Sequence, residues 1–433
     1  MKAVFRIKSF RLLFLGNLVS EIGNSLYAFA IGLYILDLTG NALTAGLYLG
    51  LGAFTRVAFS PLAGVLVDKI DRIKVIYLTD FIRGLILIVA GFIIFGGISD
   101  TVTLYILFVV AFLLNVNMAF FGPAVTSGLP DIVGEEHLQT ANAANSLVQS
   151  LRSIIGVLAG AIVYAFLGFK WIIIANAISF ILSGISEMFI RYKEGYVRHE
   201  VSKESYFSDF KEGLRYIKKR TGLFQMILLS LLLNFSITPL LSNGIPYLFR
   251  VDLNRTELEL AVPEVMFSAS MFVAGIVIGS IAIKSIRKTI TSGIILMTVL
   301  FSFTALWFHL IYNGMISFTL FYLIFNLDMV LMAAVLIFVN IPLNTGLMLA
   351  VHAEYRGRVF STLSAISAGA IPIALVLGGA ILEYGNITWL GIFCVSVLLI
   401  PTIGFARNKK VQGLLESLDA KKREMALQEE ETL

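Results

Sequence analysis

Long apolar segments alternate with short charged segments along the whole chain. A helix that crosses a bilayer needs about 20 mostly apolar residues, and this pattern predicts twelve such helices. They are expected over residues 11–36, 43–66, 75–96, 102–124, 143–166, 170–190, 223–248, 264–284, 289–311, 316–340, 359–382 and 387–406. These segments are too long for the strands of a membrane barrel, and they lack the alternation that such strands show. The pattern therefore predicts an all-α polytopic membrane protein with 12 transmembrane helices.

Composition agrees with this pattern and excludes several classes of function. Of the 433 residues, 58% are hydrophobic and 14% are charged, whereas about 25% of residues are charged in soluble proteins. The single cysteine, Cys394, excludes a disulfide framework and a cysteine-based metal site. No phosphate-binding loop motif and no His/Cys cluster with metal spacing occurs. We therefore expect neither an enzyme nor an ATPase motor, and no cofactor.

The distribution of basic residues predicts the orientation in the membrane. Of the 33 Lys and Arg residues, 27 fall in the termini and in the loops on the same side as the termini. The predicted outer loops hold Lys170, Arg250 and Arg255, and the remaining three are inside helices. Because basic loops stay cytoplasmic, both termini are predicted to be cytoplasmic, in the plasma membrane. This topology explains the net charge of +5, so we expect membrane lipids and no nucleic acid as partners.

Two separate echoes in the sequence indicate two homologous halves. In the first echo, residues 215 positions apart match: Gly64, Lys69 and Arg72 with Gly279, Lys284 and Arg287. In the second echo, residues 219 positions apart match: Pro123 and Glu135 with Pro342 and Glu354. Repeats of this kind are typical of transporters. In the second copy, Ile283 stands where Asp68 stands in the first.

The echoes and the charge pattern together predict the domain boundaries. We expect an N-terminal six-helix bundle over 1–190, a linker over 191–222, a C-terminal six-helix bundle over 223–406 and a cytoplasmic tail over 407–433. Apolar residues recur in the linker at three- and four-residue steps: Phe207, Phe210, Leu214 and Ile217. This spacing predicts an amphipathic helix on the cytoplasmic surface, with a solvated linker as the alternative. The tail is expected to be frayed or a solvated helix.

Polar and charged residues inside the predicted helices are the candidates for transport chemistry, because each costs roughly 2.5–3.5 kcal/mol at mid-bilayer. In helix 1, Asn17, Glu21 and Asn24 share one face. Arg56 in helix 2 lies at similar depth, so we expect a Glu21–Arg56 ion pair. If Glu21 has no role in proton coupling, this pair would hold it ionised as a structural clip. The remaining candidates for proton coupling or substrate contact are Arg152, Asp328, Asn115 and Asn234.

Other intramembrane charges have structural interpretations. For Arg152 in helix 5, the alternative to a role in transport is a structural one, in which it bonds backbone carbonyls or Asp328. Asp80 and Arg83 are one turn apart in helix 3 and are predicted to be a structural pair. Glu187 lies near the inner end of helix 6 and is predicted to be interfacial.

The loop from Gly64 to Lys74 resembles the signature loop between helices 2 and 3 of the major facilitator superfamily. Six residues match that signature: Gly64, Leu66, Asp68, Lys69, Arg72 and Lys74. Asp71 departs from it, because the family usually has glycine there. The segment from Glu354 to Arg358 is similar to the loop that precedes helix 11 in the family. The arrangement of loops most resembles the macrolide-efflux-type drug:proton antiporters, although helix 5 has Gly156 and Gly160 without the proline of the antiporter signature.

The resemblance implies a fold of two pseudo-symmetric six-helix bundles that work by alternating access. It also implies that helices 1, 4, 7 and 10 line a central cavity, which Glu21, Asn115, Asn234 and Asp328 would face. The signature loops imply a conformational latch formed by Gly64, Asp68, Lys69, Arg72 and Arg358.

The predicted function is secondary active export of amphiphilic small molecules, in exchange for protons carried by Glu21 or Asp328. A proton gradient would replace any cofactor, and we expect a monomer. The alternative substrate is an anionic small molecule such as a siderophore, a lysophospholipid or an organic acid, held by Arg56 and Arg152. A receptor or assembly factor without transport activity would need a large soluble domain, which the sequence lacks.

Overall fold

A computed structural model describes residues 4–193, 206–281, 283 and 285–432. Twelve helices in this part of the chain are long and apolar enough to cross a membrane, and they are named α1 to α12 here. Their bounds are Lys8–Thr39, Ala42–Lys69, Arg72–Phe95, Asp100–Val133, Glu135–Leu167, Phe169–Glu187, Gly222–Asp252, Glu257–Ser280, Ile286–Tyr312, Phe318–Ala350, Arg356–Tyr384 and Ile387–Arg407. Each predicted helix coincides with one of them, so the all-α, twelve-helix prediction is confirmed.

Several helices begin where a polar side chain caps them. Asn41 accepts a hydrogen bond from the Thr44 amide at 2.7 Å and begins α2. Asp71 accepts hydrogen bonds from the amides of Ile73 and Lys74 and begins α3. The aspartate that departs from the family signature is therefore a helix cap, a position that favours Asp over most residues.

Two membrane helices contain π-helical turns. Residues Arg152–Gly156 form one such turn in α5, and Leu240–Gly244 and Leu248–Asp252 form two in α7. A π turn inserts one extra residue into the helix and is often found at functional sites. Hydropathy does not predict these turns, because they leave the apolar character of the segment unchanged.

The chain divides into two compact units. The first unit joins the described residues up to 193 with Pro246–Val265, and the second joins 206–245 with 266–432. In the first unit, α1 and α3 both pack against α6, and α2 and α3 pack against α4. Its main core is built of apolar side chains from these helices, including Tyr27, Leu87, Leu107 and Phe180.

The linker helix (Tyr206–Lys219) packs against α11 in the second unit. A Cβ atom on Gly213 would lie 2.5 Å from the Arg358 carbonyl oxygen, so the two helices approach closely. Arg358 pairs with Glu212 at 3.1 Å, and the Tyr216 ring stacks on Tyr355 with 4.7 Å between centroids. The basic side chains of this helix stay exposed: Lys211, Arg215, Lys218 and Lys219.

The tail helix (Lys409–Thr432) is packed, contrary to the expectation of a frayed or solvated segment. Its residues Val411, Leu415 and Leu418 are buried. The Asp419 carboxylate accepts hydrogen bonds from the Ser285 hydroxyl at 2.5 Å and from the Ile286 amide at 2.6 Å. The tail therefore supplies a carboxylate at the start of α9. This carboxylate is next to the loop in which Ile283 occupies the position equivalent to Asp68 of the first half. The high charge of the tail concealed this short apolar stripe.

Candidate functional site

The first unit contains a cavity of about 290 Å³ lined by side chains from α1 to α6. Aromatic and aliphatic groups form most of its wall. The polar lining consists of Asn24, Asn115, Arg56, Arg83 and Arg152, with the hydroxyls of Tyr27 and Tyr48. The structure therefore brings four predicted site residues to one cavity: Asn24, Arg56, Asn115 and Arg152.

Glu21 is 4% exposed and forms an ion pair with Arg152. The predicted Glu21–Arg56 pair is wrong, and so is the alternative that Arg152 only bonds carbonyls. The reason is the close packing of α5 on α1, since a Cβ on Gly156 would lie 2.4 Å from Ser25 Cβ. The π turn at Arg152–Gly156 begins with the arginine itself. Together these features turn the guanidinium toward α1.

Arg56 is exposed in the cavity and has no carboxylate within 4.0 Å among the described residues. Each of the other two cavity arginines has a carboxylate partner, since Arg152 pairs with Glu21 and Arg83 with Asp80. The cavity therefore carries an excess positive charge at Arg56. Asn115 donates a hydrogen bond to the Ala111 carbonyl at 2.9 Å, so its amide oxygen remains available to the cavity.

The candidates in the second unit have partners that sequence reasoning missed. Asp328 is 5% exposed and accepts a hydrogen bond from the Thr304 hydroxyl of α9 at 2.5 Å. Asn234 donates to the Ser230 carbonyl of its own helix at 2.8 Å. In the first unit, Asn17 is 7% exposed beside Glu21. Asp328 is therefore hydrogen-bonded to α9, which is not among the helices that the family resemblance places around the cavity.

Two of the latch residues, Arg72 and Arg358, have ion-pair partners in their own units. Arg72 pairs with Asp131 at 2.6 Å and donates to the Ser127 carbonyl at 3.3 Å. Arg358 binds Glu212 of the linker helix. Lys69 is exposed, and no atom lies within 4 Å of a Cβ built on Gly64. The side chain of Asp68 lies outside the described residues, and the latch itself stays a prediction.

Asp80 and Arg83 form the predicted ion pair, at 2.5 Å. Both are buried, and the guanidinium lies over the rings of Phe121 and Phe180 at 4.2 and 4.5 Å. Glu187 is the last residue of α6 and is fully buried, so its predicted place near the membrane interface stays a prediction. A carboxylate at the last residue of a membrane helix is expected in water, and only the packing of α6 against α1 and α3 encloses it.

A further charged cluster in the first unit was not predicted. Arg250 binds Asp37 of α1 and Glu257 of α8, each at 2.9 Å. The Tyr164 hydroxyl donates to Asp37 at 2.7 Å. Arg250 is one of the few basic residues in the predicted outer loops, and that rarity is the signal that was available. Among the described residues, no group of three His, Cys, Asp or Glu side chains could hold a metal ion.

Comparisons with known proteins assign the family. The model of the Major Facilitator Superfamily matches residues 13–370. Macrolide efflux protein A of Streptococcus pyogenes is 25% identical over 372 residues, which cover 84% of this chain and 86% of that protein. The putative bacilysin exporter of Bacillus subtilis (strain 168) is 28% identical over 180 residues, covering 41% of this chain and 44% of the exporter.

A solved structure supports the fold. The crystal structure of a bacterial homologue of the iron transporter ferroportin, in an inward-facing state, aligns with 93% of this chain and 98% of that one. The TM-score is 0.75 at 15% sequence identity, so this likeness shows a shared fold alone. The efflux proteins among the relatives support efflux transport in general. The chain therefore belongs to the Major Facilitator Superfamily and is a multi-pass membrane transporter, not an enzyme.

Proposed function

We propose that the chain exports amphiphilic small molecules of the macrolide type by alternating access, in exchange for protons, across the plasma membrane. Relatives named as a macrolide efflux protein and as a putative bacilysin exporter support the outward direction and the class of substrate. The basic termini and inner loops support cytoplasmic termini. The single observation that carries the proposal is the cavity of the first unit, in which apolar walls surround a few polar groups. Sites for small molecules have this composition.

Transport in vesicles tests this proposal. We expect purified protein in vesicles with an imposed pH gradient to accumulate a macrolide, and an uncoupler that collapses the gradient to abolish accumulation. Protein-free vesicles with the same gradient control for passive partitioning of a weakly basic substrate. Accumulation that is insensitive to the gradient would contradict proton exchange. Absence of macrolide transport by an active protein would contradict the substrate class.

A second candidate substrate is an anionic small molecule. The observation that favours it is the unpaired Arg56 in the cavity beside two further arginines. A guanidinium presents several donors to a carboxylate or phosphate, and the volume of about 290 Å³ suits a small solute. The membrane protein would then export an organic acid or a phosphate-bearing molecule and would use the same alternating mechanism.

The variant Arg56→Gln separates the two substrates. If the cargo is anionic, we expect its apparent affinity to fall about tenfold to hundredfold, since a hydrogen bond to a charged group contributes about 1.5–3 kcal/mol. Macrolide transport should be unchanged by the same substitution. Arg11→Gln, at an exposed position of α1, is the matched control and should affect neither. Uptake titrations with a labelled organic anion and a labelled macrolide give both affinities. An equal loss for the two substrates would rule out a selective anion contact.

A further inference from the structure

A second buried charged cluster lies behind the cavity wall. It consists of Asp80 and Arg83 on α3 and of Glu187, the last residue of α6. The two carboxylates are 0% exposed and Arg83 is 3% exposed. Two carboxylates thus share one cation in a site without water. Burying an ion without full compensation costs several kcal/mol, so the presence of a second carboxylate beside a single cation requires an explanation.

The donors of Arg83 are used by other groups. One nitrogen donates to Asp80 Oδ1 at 2.5 Å, Nε faces the Thr79 carbonyl and Nη1 faces Met118 Sδ at 3.7 Å. The faces of the guanidinium are covered by two aromatic rings. The hydrogen bond that Arg83 gives to the pair therefore goes to one carboxylate, Asp80.

Each carboxyl of the pair has one oxygen without a donor. Glu187 Oε1 accepts a hydrogen bond from the Ser183 hydroxyl at 3.2 Å. Asp80 Oδ2 and Glu187 Oε2 are buried and accept none. Helices α3 and α6 are in close contact at this level, since a Cβ on Gly184 would lie 3.2 Å from the Phe81 ring, and the side chains of Asp80 and Glu187 interact directly. Carboxylates this close cannot both ionise readily, and one shared proton turns their repulsion into a hydrogen bond.

Among the residues that the structure describes, the surrounding helices supply no second cation to the pair. Arg83 is the cation that acts on both carboxyls, and Glu21 of α1 adds further negative charge at Asp80. From α4 come the uncharged side chains of Met118 and Phe121. From α1, the backbone at Gly16 encloses the site, since a Cβ there would lie 3.0 Å from Ser183 Oγ and 3.3 Å from Glu187 Cγ.

We propose that Asp80 and Glu187 form a proton-binding site that holds one proton between their carboxyl groups. Glu21, by contrast, has a cation of its own, because it forms an ion pair with Arg152. Arg83 lines the cavity with one side and binds Asp80 with the other, so loss of the proton changes the charge immediately behind the substrate cavity. The further assignment of this proton as the one exchanged for substrate rests on the proposed function.

The position of the pair gives the proton a short route to water. Glu187 ends α6, and the next residues, Met188 and Phe189, are exposed. Asp80 lies eight residues after the start of α3, which is about 12 Å along a helix. The site is therefore close to the end of the bundle that the basic residues predict to be cytoplasmic.

Infrared spectroscopy of the purified full-length protein tests proton binding without any transport assay. At neutral pH we expect a carbonyl stretching band of a protonated carboxyl group that shifts in deuterated water. Glu187→Gln and Asp80→Asn should each remove this band, whereas Asp100→Asn, at an exposed carboxylate, should leave it intact. A wild-type spectrum without such a band would overturn the proposal, even if a variant failed to fold. So would a band that keeps its full wild-type intensity in both variants.

Transport by Glu187→Gln tests the assignment to coupling. In wild type, a gradient of about one pH unit should drive about tenfold accumulation, equivalent to about 1.4 kcal/mol. Glu187→Gln mimics the protonated state and should lose this accumulation while retaining exchange of labelled for unlabelled macrolide. Accumulation retained by the variant would overturn the coupling assignment. If wild-type transport ignores the gradient, the proposed exchange fails, whereas the infrared result still decides the proton site.

Discussion

Replacing Arg152 with glutamine is expected to lower the free energy of unfolding by about 2–3 kcal/mol and to abolish transport. Glu21 is 5% exposed and would keep a buried charge without its ion-pair partner. Removing one partner of a fully buried pair costs about 3–5 kcal/mol. The expected value is lower because the Arg152 side chain is 37% exposed and solvent screens the interaction. Thermal unfolding in detergent and uptake into vesicles measure the two effects.

A double variant identifies the cause of this loss. Glu21→Gln combined with Arg152→Gln removes both charges, so most of the lost stability should return. Transport should return only if neither charge contacts the substrate or the proton. Lys193→Gln, which breaks an exposed ion pair with Glu136, is the control and should produce no measurable change. If the double variant is no more stable than the single one, the ion pair is not the source of the effect.

Gly156→Ala is expected to destabilise the first unit by about 1–3 kcal/mol, the usual cost of overpacking. The new methyl group would lie 2.4 Å from Ser25 Cβ and 3.3 Å from the Ile22 carbonyl oxygen, so α1 and α5 must separate. Separation would lengthen the Glu21–Arg152 contact, and transport should fall together with stability. The melting temperature and the initial rate of uptake give the two readouts.

Gly122→Ala is the matched control for this steric effect. A Cβ at Gly122 in α4 meets no atom within 4 Å, and alanine is favoured over glycine inside a helix by about 1 kcal/mol. The control variant should be neutral or slightly stabilised and fully active. Equal destabilisation by both substitutions would show that helix flexibility, not the close approach of α1 and α5, explains the effect.

Sequence reasoning about the site was least accurate in naming the ion-pair partner of Glu21. Similar depth along α1, α2 and α5 was the reason to group Glu21, Arg56 and Arg152, and two of them, Arg56 and Arg152, line one cavity. Depth does not specify the rotation of a helix about its axis, however. That rotation depends on small residues such as Gly156 and on the π turn beside it, and it selected Arg152 as the partner of Glu21.

The same limitation explains Glu187 and Asp419. Each looked solvated because it lies at a helix end or in a charged tail. Their environments are created by residues more than a hundred positions away, Asp80 for Glu187 and Ile286 for Asp419. Local composition carries no information about such contacts.

The sequence by itself determined the number of membrane helices, the duplication of six-helix halves as a prediction, and the family to which the chain belongs. The bilayer imposes these features one segment at a time, through the length of apolar runs and the cost of burying charge. Only the tertiary structure decided that Glu21 binds Arg152, that Arg56 lines the cavity without an ion-pair partner among the described residues, and that Asp80 and Glu187 meet. Those contacts depend on which helix faces pack together, and packing is set by pairs of residues that are distant in the chain.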